Sequence, residues 1–312
     1  MSSTIVPAGI QTMTTSIRKG PVLHIHPESL RLSGYLAFWF MVAISIIVTK
    51  AKVTEDLENT LLIEWFGYNN ICVYFDFNPA REVAAMIYPL VEYCLFLYLL
   101  ASHLHVWCSW RQKLVSRRFL LIDRVLVIIE TILMSWFRMV FVIKAPDDIK
   151  GHTYGFLGLQ VVLCIVAIKN LVYFHKIHMS PLQIMQQQLG FPNLLNEKGQ
   201  DIVGGTYVVL LVGVTVFKMA FCLTTFAGNP FIDTKTKGSS GQKIAQLADV
   251  IWMLLAAVVP AIIAFFQRKH TDTLHIGLGF DESKVLGTKD ENASLLTSVE
   301  TGTVEGEEEG GN

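Results

Sequence analysis

Four charged side chains interrupt the apolar segment LLIDRVLVIIETILMSWFRMVFVI at residues 120–143, namely Asp123, Arg124, Glu130 and Arg138. Because a helix turns about 100° per residue, these side chains would fall within roughly 120° of arc. A charge that faces lipid near the bilayer centre costs about 2.5–3.5 kcal/mol on insertion scales. The segment is therefore predicted to be a membrane helix whose charged stripe points into a bundle of helices.

Four other apolar segments each carry an ionisable side chain: Glu92, Lys169, Lys218 and Asp249. Counting residues from the segment ends places four groups in the outer half of the bilayer: Glu92, Arg138, Lys218 and Asp249. The same count places Glu130 and Lys169 deeper. Acids and bases nearly cancel in each layer, so pairing across helices would offset part of the cost of removing them from water.

Two hypotheses explain these charges. In the first, the carboxylates of Glu92 and Glu130 exchange protons or cations or hold a polar ligand, because ionisable groups inside a membrane are by default a functional hypothesis. In the second, the ion pairs only fix the order and register of the helices. The predicted ion or solute pathway consists of six residues: Glu92, Glu130, Arg138, Lys169, Lys218 and Asp249.

Histidine pairs follow the second, fourth and sixth apolar segments, where they could form a metal site at one membrane face. His175 and His178 are three residues apart and would share a helix face, as two ligands must. The favoured interpretation is that these histidines prefer the membrane interface, so neither a metal nor a cofactor is predicted. The candidates for a metal site, should one exist, are His103, His175, His178 and His270.

The composition indicates a membrane protein. The chain is 52% hydrophobic and 16% charged, whereas soluble domains are about a quarter charged. Crossing a bilayer takes roughly 20 apolar residues as a helix, and such runs are too long and continuous for barrel strands. The predicted fold is an all-α integral membrane protein, a six-helix transmembrane bundle, with spans at about 36–48, 84–107, 119–143, 154–174, 204–226 and 244–266.

The basic cluster SWRQKLVSRR, residues 109–118, predicts which loops face the cytosol, because cytoplasmic loops carry an excess of Lys and Arg. It places both termini in the cytosol. The predicted domains are a cytosolic segment 1–33, a six-span domain 34–270 and a cytosolic tail 271–312. The six-span domain includes an outer loop 51–82 and an inner amphipathic connector 180–196. From residue 280 the tail has nine acids against two lysines, a composition typical of disorder.

The sequence thus predicts a multi-pass integral membrane protein, a transporter or channel-like protein for a small polar solute, proton or ion. Its expected partners are the lipid bilayer and that solute, and no nucleic acid. Two alternatives stay open: a membrane-embedded lipid-modifying enzyme that uses the cytosolic-face histidines, and a non-catalytic scaffold or receptor. Catalysis is the less favoured class, because the chain has no phosphate loop and no HExxH, GxSxG or CxxC motif.

Overall fold

The computed structural model describes residues 22–53, 57–177, 180–191, 194–268 and 274–277. Within these residues lie six helices that are long and apolar enough to cross a membrane. The predicted all-α, six-helix membrane architecture is therefore confirmed. We call these helices the first to sixth spans: Pro27–Lys52, Ala80–Arg111, Arg117–Val142, Ile149–Lys176, Glu197–Phe226 and Ser240–Gln267.

The third and sixth spans are each built from two helices, and short helices lie between spans. In chain order the helices are α1 (Pro27–Lys52), α2 (Leu61–Phe66), α3 (Val73–Asp76), α4 (Ala80–Arg111), α5 (Arg117–Trp136), α6 (Met139–Val142), α7 (Ile149–Lys176), α8 (Pro181–Gln188), α9 (Glu197–Phe226), α10 (Ser240–Met253) and α11 (Val259–Gln267). A π-helical turn at Leu254–Val258 joins α10 to α11.

Two short strands, β1 (Val22–Ile25) and β2 (Leu274–Gly277), pair in a two-stranded sheet. Strand β1 falls in the predicted N-terminal segment, and β2 falls in the segment 271–312 that the sequence predicts to be disordered. The rest of that segment lies outside the described residues. The helical bundle forms one compact unit, residues 26–274, and the terminal segments form another.

Side-chain caps fix where several spans begin. Ser116 accepts a hydrogen bond from the amide of Phe119, and Asn196 accepts one from the amide of Gly199. Such caps satisfy amides that have no partner within the helix, each worth about 0.5–2 kcal/mol. The caps therefore fix the residues at which the third and fifth spans begin.

Contacts between span ends define two faces of the bundle. Arg31, near the start of the first span, donates to Gln267 at the end of the sixth, 3.0 Å away. We call this side, where odd-numbered spans begin, the terminal face. On the opposite side, the loop face, Gln242 donates to the carbonyl oxygen of Gly67 at 2.6 Å. The segment between the first two spans is thereby fastened to the start of the sixth.

The third span is interrupted between Trp136 and Met139, and its freed backbone groups find other partners. The hydroxyl of Tyr88 donates to the carbonyl oxygen of Met134 at 3.0 Å. Gly155 of the fourth span lets the chain approach closely, because a Cβ there would lie 3.0 Å from the carbonyl oxygen of Trp136. Irregular backbone inside a membrane is tolerated only where it is satisfied in this way.

The sixth span also departs from regular geometry. Its π-helical turn leaves the carbonyl oxygen of Leu255 to accept a hydrogen bond from Tyr207 at 3.0 Å. Pro260 follows within the first turn of α11 and lacks the amide hydrogen that would bond the preceding turn. Single π turns occur frequently at functional sites, which makes this part of the sixth span a candidate location for such a site.

The connector helix α8 lies within the predicted inner amphipathic connector 180–196. The sequence predicts that Leu182, Met185 and Leu189 share the side that lies on the inner leaflet, and the structure buries Ile184 and Gln186 inside the protein. The glutamine is accommodated because its side-chain oxygen accepts a hydrogen bond from the amide of Leu195 at 3.4 Å. Backbone groups of the next segment thus recruit a polar side chain into the interior.

Candidate functional site

The six residues of the predicted pathway form three ion pairs between spans. Arg138 Nε and Nη2 lie 2.7 and 2.6 Å from Glu92 Oε2. Lys169 Nζ lies 2.8 Å from Glu130 Oε2. The third pair joins Lys218 Nζ to Asp249 Oδ1 at 2.5 Å. The pairs connect the second span to the third, the third to the fourth, and the fifth to the sixth.

The pairs differ in how deeply they are buried. Glu92, Glu130 and Lys169 are no more than 5% exposed. The side chain of Arg138 is 58% exposed although its carboxylate partner is buried. Arg138 lies four residues before the end of the third span at Val142, about 6 Å along a helix. Its guanidinium can therefore reach the membrane surface in the way that long basic side chains commonly do.

The middle pair belongs to a larger cluster. Lys169 Nζ also lies 3.4 Å from Asp123 Oδ1, and Asp123 Oδ2 lies 2.5 Å from His103 Nδ1. The sequence analysis placed Asp123 in the charged stripe of the third span and grouped His103 with other histidines. The structure instead joins His103, Asp123, Lys169 and Glu130 across the second, third and fourth spans. The spacing of these residues along the chain gives no signal of this contact.

The described candidates for a metal site are engaged separately. His103 pairs with Asp123, while His175 Nδ1 lies 3.2 Å from Asp201 Oδ2 in an exposed pair. His178 and His270 lie outside the described residues. In the part of the chain that the structure describes, no three His, Cys, Asp or Glu side chains are grouped so that they could hold a metal ion.

A cavity of about 790 Å³ lies between the first, fourth, fifth and sixth spans and α8. Its floor includes Leu163, Leu211 and Ala256. Leu163 lies thirteen residues before the end of the fourth span at Lys176, which places the floor about 20 Å from the terminal face. We call this space the terminal cavity. Its polar wall residues lie nearer the face and include Arg31, Asn170, Gln200 and Gln267.

A second, smaller cavity of about 60 Å³ lies in the half of the bundle towards the loop face. We call it the loop cavity. Polar side chains on its wall include Tyr68, Gln160, Lys218 and Asp249. Burial and the neighbouring Asp249 carboxylate raise the pKa of Tyr68, so its hydroxyl keeps its proton. Gln160 is 1% exposed, and its side-chain oxygen has no hydrogen-bond partner among the described residues.

The two cavities nearly meet. Gln160 lines the loop cavity and Leu163 lines the terminal cavity, and three residues of helix separate positions by only about 4.5 Å. The partition between the cavities contains Trp252, whose Nε1 donates to Thr215 Oγ1 at 3.1 Å. The ring of Phe156 lies 5.6 Å from the indole ring. A layer of side chains that includes Trp252, Thr215 and Phe156 therefore separates the two cavities.

Only one predicted pair lines either of the two cavities. Lys218 and Asp249 line the loop cavity. The pairs Glu92–Arg138 and Glu130–Lys169 line neither of the two cavities. Of the three predicted pairs, one therefore lies on the polar wall of the loop cavity, and the other two join neighbouring spans.

Arg31 is the main site residue that sequence reasoning did not select. It is 6% exposed, its Nη2 lies 2.5 Å from Glu28 Oε2, and its guanidinium carbon lies 5.3 Å from the centre of the Tyr98 ring. The three-residue spacing of Glu28 and Arg31 was a usable signal, because such residues are neighbours on a helix. It was missed because the sequence placed the first span at 36–48, whereas the helix begins at Pro27.

A nucleophilic cysteine is not prepared at the loop cavity. Cys72 and His152 both line it. The imidazole Nε2 of His152 lies 3.2 Å from Asp76 Oδ1, and Nδ1 lies 2.9 Å from the carbonyl oxygen of Ile143. Nδ1 is thus occupied and Nε2 faces a carboxylate, while burial raises the pKa of the Cys72 thiol. A reactive cysteine needs the opposite, a thiolate favoured by a nearby base or cation.

The fold and the span lengths define an integral, multi-pass membrane protein of the α-helical class. No family model, no curated protein and no solved structure matches the chain. The two cavities and the partition between them are therefore the features from which a function can be inferred.

Proposed function

We propose that this protein is a membrane transporter that passes a small organic molecule between the terminal and loop cavities. The main support is that two cavities from opposite halves of the bundle approach within about one helical turn along the fourth span. A permanently open channel needs a continuous path, whereas alternating access needs a closed partition that gates can open from either side. The terminal cavity, at about 790 Å³, has the size of pockets that hold small molecules.

The partition is suited to a change of shape. It depends on few polar contacts, chiefly the bond from Trp252 to Thr215 and the contact of Cys164 Sγ with Thr215 at 3.3 Å. The π-helical turn at Leu254–Val258 follows directly, and such turns already depart from regular helical bonding. We therefore propose the partition and this turn as the gate.

The charged residues have two proposed roles. Lys218 and Asp249 are polar groups that the solute meets on the loop side. The pairs Glu92–Arg138 and Glu130–Lys169 hold the third span against its neighbours and do not contact the solute. With both termini cytosolic, as the basic cluster predicts, the terminal cavity would open to the cytosol.

Flux through a blocked cavity tests the proposal. Proteoliposomes would be loaded with a mixture of labelled amino acids, sugars, organic acids and acylglycerols, and release would be followed by mass spectrometry against empty liposomes. The Ala167→Phe variant places a ring in the terminal cavity, and Ile168→Phe places the same ring on a lipid-facing position that is 43% exposed. The proposal expects at least one compound to be released, and only Ala167→Phe to stop its release.

Equal release from wild-type and empty liposomes for every compound would contradict transport and favour a scaffold. Labelling of a thiol from each side of the membrane provides an independent test of the closed partition. Cys222 lines the loop cavity but is buried, so the test uses Thr153, which lines the same cavity and is only partly buried. In a Thr153→Cys variant whose native cysteines are replaced by serine, a membrane-impermeant methanethiosulfonate should modify the introduced thiol from the loop side alone. Modification from both sides at rest would show an open channel instead.

A further inference from the structure

We infer that the terminal cavity binds an amphiphile without net charge, which enters from the bilayer. The inference rests on the proposed transport function, whose substrate class it names. It is drawn from four properties of the cavity: the separation of its polar and apolar walls, its charge balance, its available hydrogen-bonding groups and the surface beside its mouth.

The polar and apolar parts of the cavity wall are segregated. Leu163, Leu211 and Ala256 form the floor, whereas Asn170 and Gln200 lie nearer the terminal face. Gln200 lies three residues after the fifth span begins at Glu197, about 5 Å from that face. A ligand that matches this wall has a polar group at one end and a hydrocarbon body about 15 Å deep behind it.

The charged side chain that is buried in the described wall is already neutralised. Arg31 is paired with Glu28 at 2.5 Å, whereas His175 and Asp201, 3.2 Å apart, are 66% and 45% exposed at the mouth. Glu197, at the mouth, also has an interaction partner. A charged ligand would therefore bring a charge without a counter-charge into a space surrounded by apolar side chains, and such burial is strongly unfavourable. The charge balance selects a neutral or zwitterionic head group.

The wall still offers hydrogen bonds to such a head group. Arg31 lines this wall and uses Nη2 for both Glu28 and Gln267, while its Nε is buried below the wall surface. Tyr35 lines the same wall. Asn170 donates to the hydroxyl of Tyr98 at 2.8 Å, which leaves its amide oxygen as an acceptor. A hydroxyl, ester or amide head group can satisfy such donors and acceptors without adding net charge.

The mouth of the cavity borders an apolar surface. Leu195 and Asn196 line the mouth, and just before them three apolar side chains are 51–70% exposed: Leu189, Phe191 and Leu194. An exposed apolar patch of this kind marks a contact with lipid or another partner. In a membrane protein whose mouth lies at the end of its spans, the patch favours contact with lipid. A ligand dissolved in the bilayer can reach the mouth along it.

A series of compounds that share one dodecyl chain tests the inference. The purified wild-type protein in nanodiscs would be crosslinked with a photoreactive analogue of 1-dodecanoylglycerol. Competition would be measured with 1-dodecanoylglycerol, dodecylphosphocholine, dodecanoate and dodecyltrimethylammonium. We expect the neutral and zwitterionic compounds to compete at concentrations at least about tenfold lower than either ion, a difference of about 1.4 kcal/mol. Equal or better competition by dodecanoate or by the cation would overturn the inference.

Matched variants locate the binding site. Ala167→Phe should lose crosslinking and Ile168→Phe should retain it, with melting temperatures measured to establish that both variants are folded. A peptide map should place the crosslink near Leu163, Leu211 or Ala256, and a crosslink confined to the second or third span would overturn the inference. Should the neutral amphiphile bind while no compound crosses the membrane, the transport proposal fails and this site stands. Should a charged solute be transported while the neutral amphiphile does not bind, the site assignment fails and transport stands.

Discussion

The Lys169→Met variant examines the buried cluster of His103, Asp123, Lys169 and Glu130. Lys169 Nζ is the common partner of two carboxylates, at 2.8 Å from Glu130 and 3.4 Å from Asp123. Methionine keeps most of the side-chain length and removes the charge. Two carboxylates that are no more than 1% exposed would then have His103 as their one neighbouring basic group within the described cluster.

The expected loss of folding stability is large for Lys169→Met and smaller for Glu130→Gln. Removing one partner of a buried ion pair costs about 3–5 kcal/mol, because the other charge stays buried without compensation. Glu130→Gln should cost only about 1–2 kcal/mol, since Lys169 keeps Asp123 and loses one charged hydrogen bond. The double variant leaves Asp123 with His103, so it should be more stable than Lys169→Met alone. At about 2–4 °C per kcal/mol for a domain of this size, Lys169→Met should lower the melting temperature by about 6–20 °C.

Thermal unfolding in nanodiscs, followed by tryptophan fluorescence, measures all three variants. Equal melting temperatures for Lys169→Met and Glu130→Gln would refute the reasoning, as would additive effects in the double variant, because groups in one network must couple. The flux assay gives a separate reading. We expect Glu130→Gln to transport at the wild-type rate, and a loss of flux with intact folding would return Glu130 to the solute pathway.

Three further predictions concern other features. Trp252→Ala should cost about 3–5 kcal/mol, join the two cavities and let liposomes leak a small dye. Gly67→Ala should destabilise far more than Gly190→Ala in thermal melts, because both have φ of +79° but only at Gly67 would a Cβ lie 2.1 Å from a carbonyl oxygen. The Thr236 hydroxyl holds the pKa of Asp233 below its usual range in the folded protein. The resulting stabilisation of the loop is fully present above the pKa that Asp233 has in the unfolded chain, and it is lost as the pH falls through the lower folded pKa. Hydrogen exchange should show this loss in the wild type and a smaller loss in Thr236→Val, which keeps the backbone hydrogen bonds from Lys235 and Thr236 to Asp233.

The membrane architecture could be predicted from the sequence because it depends on local composition. Each span can be recognised in the sequence as a long apolar run, and a lipid environment permits few other structures for such runs. Span ends were harder, since polar residues at the ends of membrane helices resemble loop residues. The first span was placed at 36–48 and extends from Pro27 to Lys52, so its polar start, which contains Glu28 and Arg31, was left outside.

The partners of the buried charges could not be read from the chain. Glu92 and Arg138 are 46 residues apart in sequence, and nothing local to either residue specifies the other. Layer counting narrowed the choice by depth and sign, but Glu92 could equally have paired with Lys218. Which charged residues pair depends on which spans are neighbours and on how each helix is rotated. That rotation is fixed by the packing of apolar side chains around the helix. The terminal cavity also depends on which spans are neighbours, and no sequence motif indicates it.

The polar contacts divide the spans into groups in a way that bears on movement. Glu92–Arg138 and the Lys169 cluster fasten the second, third and fourth spans together. The fifth and sixth spans are joined by Lys218–Asp249, by the Trp252–Thr215 bond and by the bond from Tyr207 to Leu255.

Direct polar contacts between these two groups, within the described spans, include Cys164 with Thr215 and the exposed pair His175–Asp201. The first span also bridges the groups, because Arg31 donates to Gln267 of the sixth span and lies over the Tyr98 ring of the second. Buried ion pairs are costly to break, whereas a cysteine contact and an exposed ion pair are worth little. In the proposed transport cycle, the two groups would therefore move relative to each other along the boundary that contains the terminal cavity and the partition. The charges that the sequence predicts to form an ion path would then keep each group rigid.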